Sequence, residues 1–428
     1  MNDKFWLYIE PYVEIIVHKN STLLYNTLNG KHLEYQDSPE IISLVKNILT
    51  PKNNRIISIT NTDYTGKIIC DFVKDLQQIH AGDIINKNLT LKKPFQFTPI
   101  INLQSDVKRF KKEREWIGND ILNNLFELTI FVNSKLADSP YQNEKAFKQI
   151  MFPYSGIEYQ ELSFNSILAI SKSLSTSSPC TIKISGGNLC AHTEINNIIL
   201  LFNSVKRKVK YIFNSSEFIE NLEILNKINP TNSSITVNTF IRGTEEEFLE
   251  KIFTIRDYPI PVTFSSIIED DSDMEKIASS IPDDYPNPHF LAPYYNGTNI
   301  AFFKSNVFTK IEEIFIEKQS QFKIQQKKKI NTNLFGKLHI LPNKDVYSGV
   351  NEKSIGNIGT SSLKELIYFE MARGKSWLKT RTSVIPCKYC NYQFLCPSIS
   401  NYEYALGQFD LCNIQEHNMR EKTHTHNN

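Results

Sequence analysis

Long hydrophobic runs are absent from this sequence of 428 residues. Its longest apolar stretches, such as 198–202, have the length of a short strand, whereas a membrane-spanning helix needs about 20 apolar residues. The opening segment, MNDKFWLYIEP, also lacks the basic stretch followed by an apolar one that marks a secretory signal. We therefore expect a cytoplasmic protein without a membrane span.

An excess of charge of either sign is missing as well. Lysine and arginine total 48 against 46 acidic residues, so the net charge is only +2 and exerts no long-range attraction on nucleic acid. Three basic runs, at 108–114, 206–210 and 325–329, lie far apart, and two of them fall within helix-like segments. We interpret them as solvated faces and expect no nucleic-acid partner.

Cysteine is scarce too, with seven residues, yet four of the seven fall within one short segment near the C-terminal end. They are spaced as Cys387-x2-Cys390-x5-Cys396-x15-Cys412. In a reducing cytoplasm, clustered cysteines indicate a metal site more often than disulfides. Four soft thiolates suit either Zn²⁺ or an iron–sulfur cluster, and the spacing does not choose between them. We expect the remaining three to be buried structural thiols: Cys70, Cys180 and Cys190.

Residues 1–86 have the pattern of a small separate module. Three short segments are rich in β-branched and aromatic residues, and they predict strands at Val13–His18, Thr22–Asn26 and Lys31–Tyr35. Asn29-Gly30 predicts a tight hairpin turn between the last two, because both residues tolerate positive φ.

Helices are predicted to follow these strands. Asp37-Ser38-Pro39-Glu40 is typical of a helix start, with a capping side chain, proline in the first turn and an acid. Arg55–Thr60 predicts a strand, and Lys67–His80 predicts an amphipathic helix with Gly82 as its stop. Strands followed by helices in so few residues predict a winged-helix-like module, and we expect 87–125 to be a linker ending in a helix at Asp106–Leu125.

Strands and helices then alternate regularly. Six strands are predicted, and helices such as Ile195–Val205, Glu217–Lys227 and Glu245–Ile255 lie between them. The strands are Leu128–Asn133, Thr181–Ser185, Lys210–Asn214, Ser234–Phe240, Pro261–Ile268 and Pro288–Pro293. This alternation is typical of βα units, so we predict an α/β fold with a parallel sheet in an open or partial (β/α)6 barrel over 126–333. A loop-rich domain that contains the cysteine cluster is expected over 334–428.

The cysteine spacing resembles that of the SPASM domain, a C-terminal extension of many peptide-modifying radical SAM enzymes. The segment LPNKDVYSG…IGNIGTSSLKEL at 341–366 is similar to the lead-in of that domain. The resemblance implies one auxiliary [4Fe–4S] cluster on Cys387, Cys390, Cys396 and Cys412, with zinc as the alternative. A second auxiliary cluster would need cysteines where this chain has Ser400 and, near a strand end, Ser348 and Gly349.

The cluster that cleaves S-adenosylmethionine (SAM) in radical SAM enzymes has no ligands here. It is held by C-x3-C-x2-C after the first barrel strand, and that motif occurs nowhere in the chain. Gly186, Gly187 and Asn188 resemble the Gly-Gly-Glu-Pro turn that holds the SAM amino group, but asparagine stands where the carboxylate would be. Without three thiolates there is no iron with an open coordination position, so we expect neither SAM binding nor radical SAM catalysis.

The first module resembles a RiPP recognition element, a winged-helix domain that binds the leader of a ribosomally made precursor peptide by strand addition. This resemblance implies a binding edge at Lys31–Tyr35 and a flanking helix at Lys67–His80. The groove residues would be Leu33, Tyr35, Phe72 and Leu76, unless these side chains belong to the core. Nearly the whole chain resembles the pseudo-radical-SAM proteins of double-glycine-leader peptide systems.

These resemblances imply a non-catalytic partner in RiPP maturation that binds precursor peptide, a true radical SAM maturase, or both. A peptide-modifying enzyme of other chemistry is an alternative, and its candidate groups are Glu158, Glu161, His192, Asp257 and His289. A zinc-stapled interaction protein is a second alternative. His417, His424 and His426 belong to a tail that we expect to be frayed.

Overall fold

The structure, a computed structural model, describes residues 4–90, 92–97, 121–136, 144–156, 158–176, 180–241, 258–282 and 284–414. In these ranges no helix combines the length and the apolar character that crossing a membrane requires. Several expectations lie outside the described residues. These are the basic run at 108–114, most of the helix at Asp106–Leu125, the helix at Glu245–Ile255, Asp257 and the three C-terminal histidines.

The N-terminal part contains two antiparallel three-stranded sheets and three helices. The strands are β1 (Lys4–Ile9), β2 (Val13–Val17), β3 (Ser21–Asn26), β4 (His32–Gln36), β5 (Ile56–Thr60) and β6 (Gly82–Asn86). The helices are α1 (Pro39–Ile48), α2 (Asn61–Thr65) and α3 (Lys67–Gln78). One sheet has the order β5-β1-β6 and the other β2-β3-β4. The three predicted strands of the second sheet are therefore confirmed.

The sheet formed by β5, β1 and β6 departs from the prediction. Strand β1 was not predicted, and Gly82 was assigned to a helix stop, whereas it is the first residue of β6. Glycine is needed there because a Cβ at Gly82 would lie 2.2 Å from the carbonyl oxygen of Tyr8 in β1. The missing side chain thus permits a close strand approach, which a sequence pattern cannot distinguish from a helix stop.

Two turn motifs near β4 also act differently from the prediction. Only Gly30 of the Asn29-Gly30 pair has positive φ, and the turn is a longer loop in which Asn26 accepts hydrogen bonds from the N–H groups of Leu28 and Gly30. At the start of α1, Ser38 makes no side-chain cap, because its hydroxyl donates to the carbonyl oxygen of Gln36.

Helices α1 and α3 cover one face of β2-β3-β4 and complete an apolar core. Alternate residues of the strands, such as Val13 and Leu24, are buried against this helix layer. From α3 the buried side chains are Phe72, Val73 and Leu76. The period of these three along the helix explains why α3 forms on this surface.

From residue 127 onward, strands and helices alternate. The strands are β7 (Glu127–Phe131), β8 (Lys135–Leu136), β9 (Ser155–Gly156), β10 (Thr181–Ser185), β11 (Val209–Asn214), β12 (Ser233–Phe240), β13 (Val262–Ile268), β14 (His289–Pro293), β15 (Lys337–Ile340), β16 (Asp345–Tyr347) and β17 (Gly356–Asn357). The helices are α4 (Glu144–Ile150), α5 (Phe164–Ser173), α6 (Ile195–Asn203), α7 (Ser215–Glu220), α8 (Leu222–Leu225), α9 (Asp271–Ser280), α10 (Ile300–Val307), α11 (Ile311–Ile316), α12 (Gln321–Lys329), α13 (Leu363–Arg373) and α14 (Asn401–Leu406).

One large sheet organises this region, with the order β14-β13-β12-β11-β10-β7-β15-β16-β17. Strands β7 and β10 to β14 are parallel and correspond to the six predicted strands, with bounds that differ by a residue or two. Their order follows the chain in one direction, which is the topology of a singly wound α/β sheet. The predicted mixed α/β fold with a large parallel sheet is confirmed.

Helices α5 to α9 cover one face of the sheet. Helices α5 to α9 contribute buried residues to the same core as alternate residues of β7, β10 and β11, for example Ile130, Ile184 and Tyr211. In β11 the burial alternates strictly along the strand, as a half-covered sheet requires. The helix expected at Glu217–Lys227 is two short helices, α7 and α8, which meet at Asn221.

The C-terminal part closes back onto the first module. Strand β15 pairs in parallel with β7, while the following residues are mostly loops and short helices, as predicted. A shared apolar cluster joins Leu23 and Tyr25 of β3 to Ile314 of α11 and to Tyr392 and Cys396. The cysteine-bearing segment is therefore packed against the second N-terminal sheet.

Replacing Phe72 by alanine tests whether α3 belongs to the core. The ring is 1% exposed, so Phe72→Ala should lower the free energy of unfolding by about 3–5 kcal/mol. Ile68 lies on the same helix but is 46% exposed, and Ile68→Ala should change that energy by less than about 1 kcal/mol. Denaturant titrations of both variants give the comparison. Equal effects would contradict the burial of Phe72.

Candidate metal centre

The four clustered cysteines line a single cavity of about 320 Å³. Most of the remaining wall comes from the same C-terminal segment, including Arg381, Tyr392 and Asp410. Thr309 and five residues of the first module supply the rest of the wall: Asn20, Ser21, Glu34, Gln36 and Asp37. The structure thus brings together all four predicted ligands, although 15 residues separate the last from the third along the chain.

Short turns and one bridge position these thiols. Cys387 and Cys390 flank a single 3-10 turn in which the Cys390 N–H donates to the Cys387 carbonyl oxygen at 2.9 Å. The N–H of Cys396 donates to Tyr392, also at 2.9 Å. Cys412 forms an isolated parallel bridge with Thr309, and the neighbours of Cys412 hydrogen-bond to Thr309. These contacts hold Cys412 at the site.

Burial raises the pKa of all four thiols, and that of Cys390 to about 11. At Cys387 the guanidinium of Arg381, 3.5 Å from Sγ, opposes this rise in pKa. At neutral pH such thiols remain protonated unless a cation compensates the thiolate charge. A metal centre would supply that charge.

The four thiols lie on the wall of the cavity without converging on one point. Among the residues that the structure describes, no three His, Cys, Asp or Glu side chains converge closely enough to hold a single metal ion. Zinc needs sulfurs about 3.8 Å apart, because four Zn–S bonds of about 2.3 Å form a tetrahedron. The four cysteines instead lie along part of the wall of a cavity of about 320 Å³ that residues of the first module also line.

A buried ion pair supports the cluster loop. Arg381 donates to both carboxylate oxygens of Glu403, at 2.5 and 3.2 Å, and the two side chains are 12% and 3% exposed. It also donates to the carbonyl oxygens of Pro397 and Phe409, at 2.8 and 2.9 Å. Arg381, which precedes the first cysteine, therefore ties the chain there to three residues between Cys396 and Cys412. No spacing in the sequence indicated either partner.

The two serines at the positions of a second auxiliary cluster have structural roles. Ser400 caps α14, with its hydroxyl accepting from the Glu403 N–H at 3.4 Å and its own N–H donating to the Glu403 carboxylate. The hydroxyl of Ser348 donates to Ser376 at 3.0 Å inside the core.

Glu34 of β4 connects the first module to the cluster loop. Its carboxylate accepts hydrogen bonds from the hydroxyl of Tyr392 and, at 2.8 Å, from the amide of Asn391. Both donors lie between Cys390 and Cys396. Ser21 donates to Asn391 from the neighbouring strand, at 2.8 Å. Sequence analysis did not single out Glu34, because only the folded chain brings these distant residues together.

Of the predicted groove residues, two line the surface of β4 and two lie below it. Leu33 and Tyr35 are half-buried, and the Tyr35 hydroxyl donates to Asp75 of α3 at 2.7 Å. Phe72 and Leu76 are fully buried, with the Phe72 ring 5.6 Å from that of Tyr35. The surface available on this module is thus the strand edge itself.

That edge is unpaired within the described residues, since β4 pairs only with β3. Hydrogen bonds to β3 occur at both ends of the hairpin, involving Asn26 and Asp37. Because bonded pairs alternate along an antiparallel ladder, Leu33 and Tyr35 bond to β3. The residues between them direct their N–H and C=O groups to the open edge: His32, Glu34 and Gln36.

The glycine turn after β10 is hydrogen-bonded to another part of the same chain. The N–H of Gly187 donates to the Asn133 carbonyl oxygen at 3.0 Å, and the Asn133 side-chain amide donates to Asn188 at 2.6 Å. A Cβ at Gly186 would lie 2.3 Å from Asn133 Oδ1. The Asn188 side chain accepts from the Ala191 N–H. The turn's polar groups are therefore engaged internally.

Helix α4 and the residues after it fill the other face of the sheet near the strand C-termini. Phe147 packs edge-on against Phe131 at 5.3 Å, and Phe152 shares a buried cluster with Ile267 of β13. The Gln149 side chain exchanges two hydrogen bonds with the Tyr295 backbone, at 3.0 and 2.9 Å. Ligands in singly wound α/β folds bind at the C-terminal ends of the strands, and here apolar side chains occupy that position.

The residues that would support an enzyme of other chemistry lie apart from one another or are hydrogen-bonded within the protein. His192 is 2% exposed, and its two ring nitrogens lie 3.0 Å from the Leu162 carbonyl oxygen and the Glu194 N–H. Glu161 accepts from Thr193 and Tyr159. Burial lowers the pKa of His289. Its ring lies 2.8 Å from the hydroxyl of Ser266 on β13, away from His192 and Glu161. Glu158 is exposed.

Comparisons with known proteins gave limited matches. No family model and no curated protein matches the chain. Among solved structures it is similar to Streptococcus suis SuiB bound to precursor peptide SuiA, with a TM-score of 0.43, 13% identity and coverage of 91% of this chain and 94% of that one. For SuiB alone the TM-score is 0.43 and the identity 13%, with coverage of 95% of this chain and 99% of that one. For SuiB bound to S-adenosylmethionine the TM-score is 0.40 and the identity 12%, with coverage of 91% of this chain and 94% of that one. At TM-scores this low, no conclusion about function follows.

Removing Arg381 tests the support of the cluster loop. Arg381→Met should lower the free energy of unfolding by about 3–5 kcal/mol, because it leaves the buried Glu403 carboxylate without its counter-charge. Adding Glu403→Gln should recover part of that loss. Denaturant titrations of the two single variants and the double variant measure the coupling. Strictly additive losses would contradict a buried pair.

Proposed function

We propose that this chain is a non-catalytic partner in the maturation of a ribosomally made peptide. It binds the leader of a precursor peptide along the open edge of β4 and presents that peptide to a radical SAM maturase. One [4Fe–4S] cluster is held by Cys387, Cys390, Cys396 and Cys412. The fold is that of a radical SAM protein whose SAM-binding machinery has been lost.

The observation that carries this proposal is the shared cavity. Its wall contains the four thiols and, from the first module, Glu34 and Gln36 of the edge strand. A peptide that adds to β4 would lie beside the cluster loop, since Glu34 is already bonded to Asn391 and Tyr392. Main-chain hydrogen bonds give such strand addition its affinity.

The non-catalytic assignment rests on the barrel residues. The chain has no C-x3-C-x2-C motif to leave an iron open. Asn133 engages the polar groups of the glycine turn, and Phe147 occupies the space near the strand ends. A substrate at this position would have to displace a packed helix.

A metal centre held by these four cysteines would have a supporting role. When bound, a cluster with four cysteine ligands supplies a cross-link between chain segments and a one-electron redox centre. Arg381 lies against Cys387 and holds the chain on both sides of the site. The half-buried position of Cys387 and Cys412 leaves one side of the cavity wall reachable from solvent.

Iron and sulfide analysis after anaerobic reconstitution tests the cluster. We expect about four iron and four sulfide per chain, falling by more than half in Cys390→Ser. Cys70→Ala, on α3 in the first module, should leave both counts unchanged. Stoichiometric zinc without sulfide would instead identify a zinc-stapled interaction protein. Formation of 5′-deoxyadenosine from SAM and a reductant would overturn the non-catalytic role.

Proline at Gln36 tests strand addition at β4. The Gln36 N–H faces the open edge, so Gln36→Pro removes an edge donor without removing a bond to β3. The affinity of the Gln36→Pro variant for synthetic leader peptides ending in a double glycine should fall at least about tenfold, measured by fluorescence anisotropy. Gln36→Ala keeps the donor and should bind like the parent chain. Unchanged binding by Gln36→Pro, or no binding by the parent chain, would contradict this mode.

A further inference from the structure

A row of charged and polar side chains crosses the sheet on the face opposite helices α5 to α9. Backbone register places His339 beside Thr129, Thr129 beside Lys183, and Lys183 beside Lys210. These residues lie on β15, β7, β10 and β11, four consecutive strands of the sheet. One position earlier on the same face, Glu127 pairs with Lys337. Glu127 and Lys337 are the first residues of their strands, and the other members of the row are the second or third residues of theirs. The C-terminal ends, which α4 fills, lie beyond the row.

The charges in this row do not balance. The Lys183 ammonium lies 2.8 Å from a carboxylate oxygen of Glu127, and their side chains are 23% and 17% exposed. Lys210 and Lys337 are half-buried and form no ion pair within the described residues. Burial lowers the pKa of both; the nearby Lys183 adds to this effect, and the Glu127 carboxylate opposes it. Three ammonium groups therefore surround one carboxylate.

Polar atoms around the row lack partners within the protein. Thr129 and His339 are 2% and 1% exposed, and neither Thr129 Oγ1 nor His339 Nδ1 has a hydrogen-bond partner among the described residues. Burial also lowers the pKa of His339 to about 4, so its imidazole is neutral at physiological pH and can donate one hydrogen bond. Buried polar groups of this kind ordinarily have a partner.

We propose that this row binds a small doubly charged oxyanion, either free phosphate or the phosphate group of a small metabolite. Lys183, Lys210 and Lys337 supply charge, while Thr129 and His339 supply hydrogen bonds. Two negative charges would balance the excess of two ammonium groups over Glu127. Lysine ammonium groups and neutral donors are the groups that hold phosphate in proteins. This site is independent of the peptide edge and of the cysteine cavity.

Thermal denaturation of the full chain with inorganic phosphate, at ionic strength matched with chloride, tests the site. Phosphate stabilises proteins in general through exclusion from their surface, so the readout is a comparison of variants. Lys210→Met should weaken phosphate binding at least about tenfold, because it removes one charged contact. Lys208→Met, at an exposed position just before β11, is the matched control and should keep the full phosphate-dependent shift in Tm.

Lys210→Met should also raise the Tm measured without phosphate, since it removes repulsion between neighbouring ammonium groups. This second readout separates an anion site from a purely structural charge layer, in which losing a lysine lowers the Tm. Lys337→Met replaces Lys210→Met in this experiment if the Lys210 variant does not fold. Equal phosphate shifts in the Lys210 and Lys208 variants would overturn the proposal. Comparing inorganic phosphate with glycerol 3-phosphate distinguishes a free anion from a carried phosphate group.

Discussion

The burial of four thiols around one cavity is the constraint on which the C-terminal part of the chain depends. Burial raises the pKa of each thiol, and a metal centre would compensate the thiolate charge. Arg381 bonds to three residues between Cys396 and Cys412, and Thr309 forms a bridge with Cys412. The first module completes the wall of the cavity.

The large sheet is closed by apolar side chains at the position where singly wound α/β folds usually bind ligands. Its strand order and its single helix layer remain those of a singly wound α/β fold. At the strand C-termini, however, Phe147 and Phe152 form packed apolar contacts, and Asn133 saturates the glycine turn. Buried polar atoms without a hydrogen-bond partner among the described residues lie both within the strands, at Thr129 and His339, and at the end of β10, at Ser185.

Local patterns predicted the parts of this structure that local forces determine. The six parallel strands followed from β-branched runs, and the four cysteines from their spacing alone. Strand β6 was missed because Gly82 serves a close approach to Tyr8, a contact 74 positions away in the chain. Arg381, Glu403 and Glu34 were missed for the same reason, since their roles arise from contacts between segments that only the fold brings together. Phe72 and Leu76 have the same apolar character in a core as in a groove, so composition could not place them.

The hydrogen bonds of Glu34 to Asn391 and Tyr392 have a thermodynamic consequence. A ligand in the cysteine cavity and a peptide paired with β4 would both affect the loop from Cys390 to Cys396. Binding free energies are reciprocal, so if one occupant orders this loop, each must raise the affinity of the other by an identical factor. A single glutamate would then make two chemically unrelated ligands cooperative.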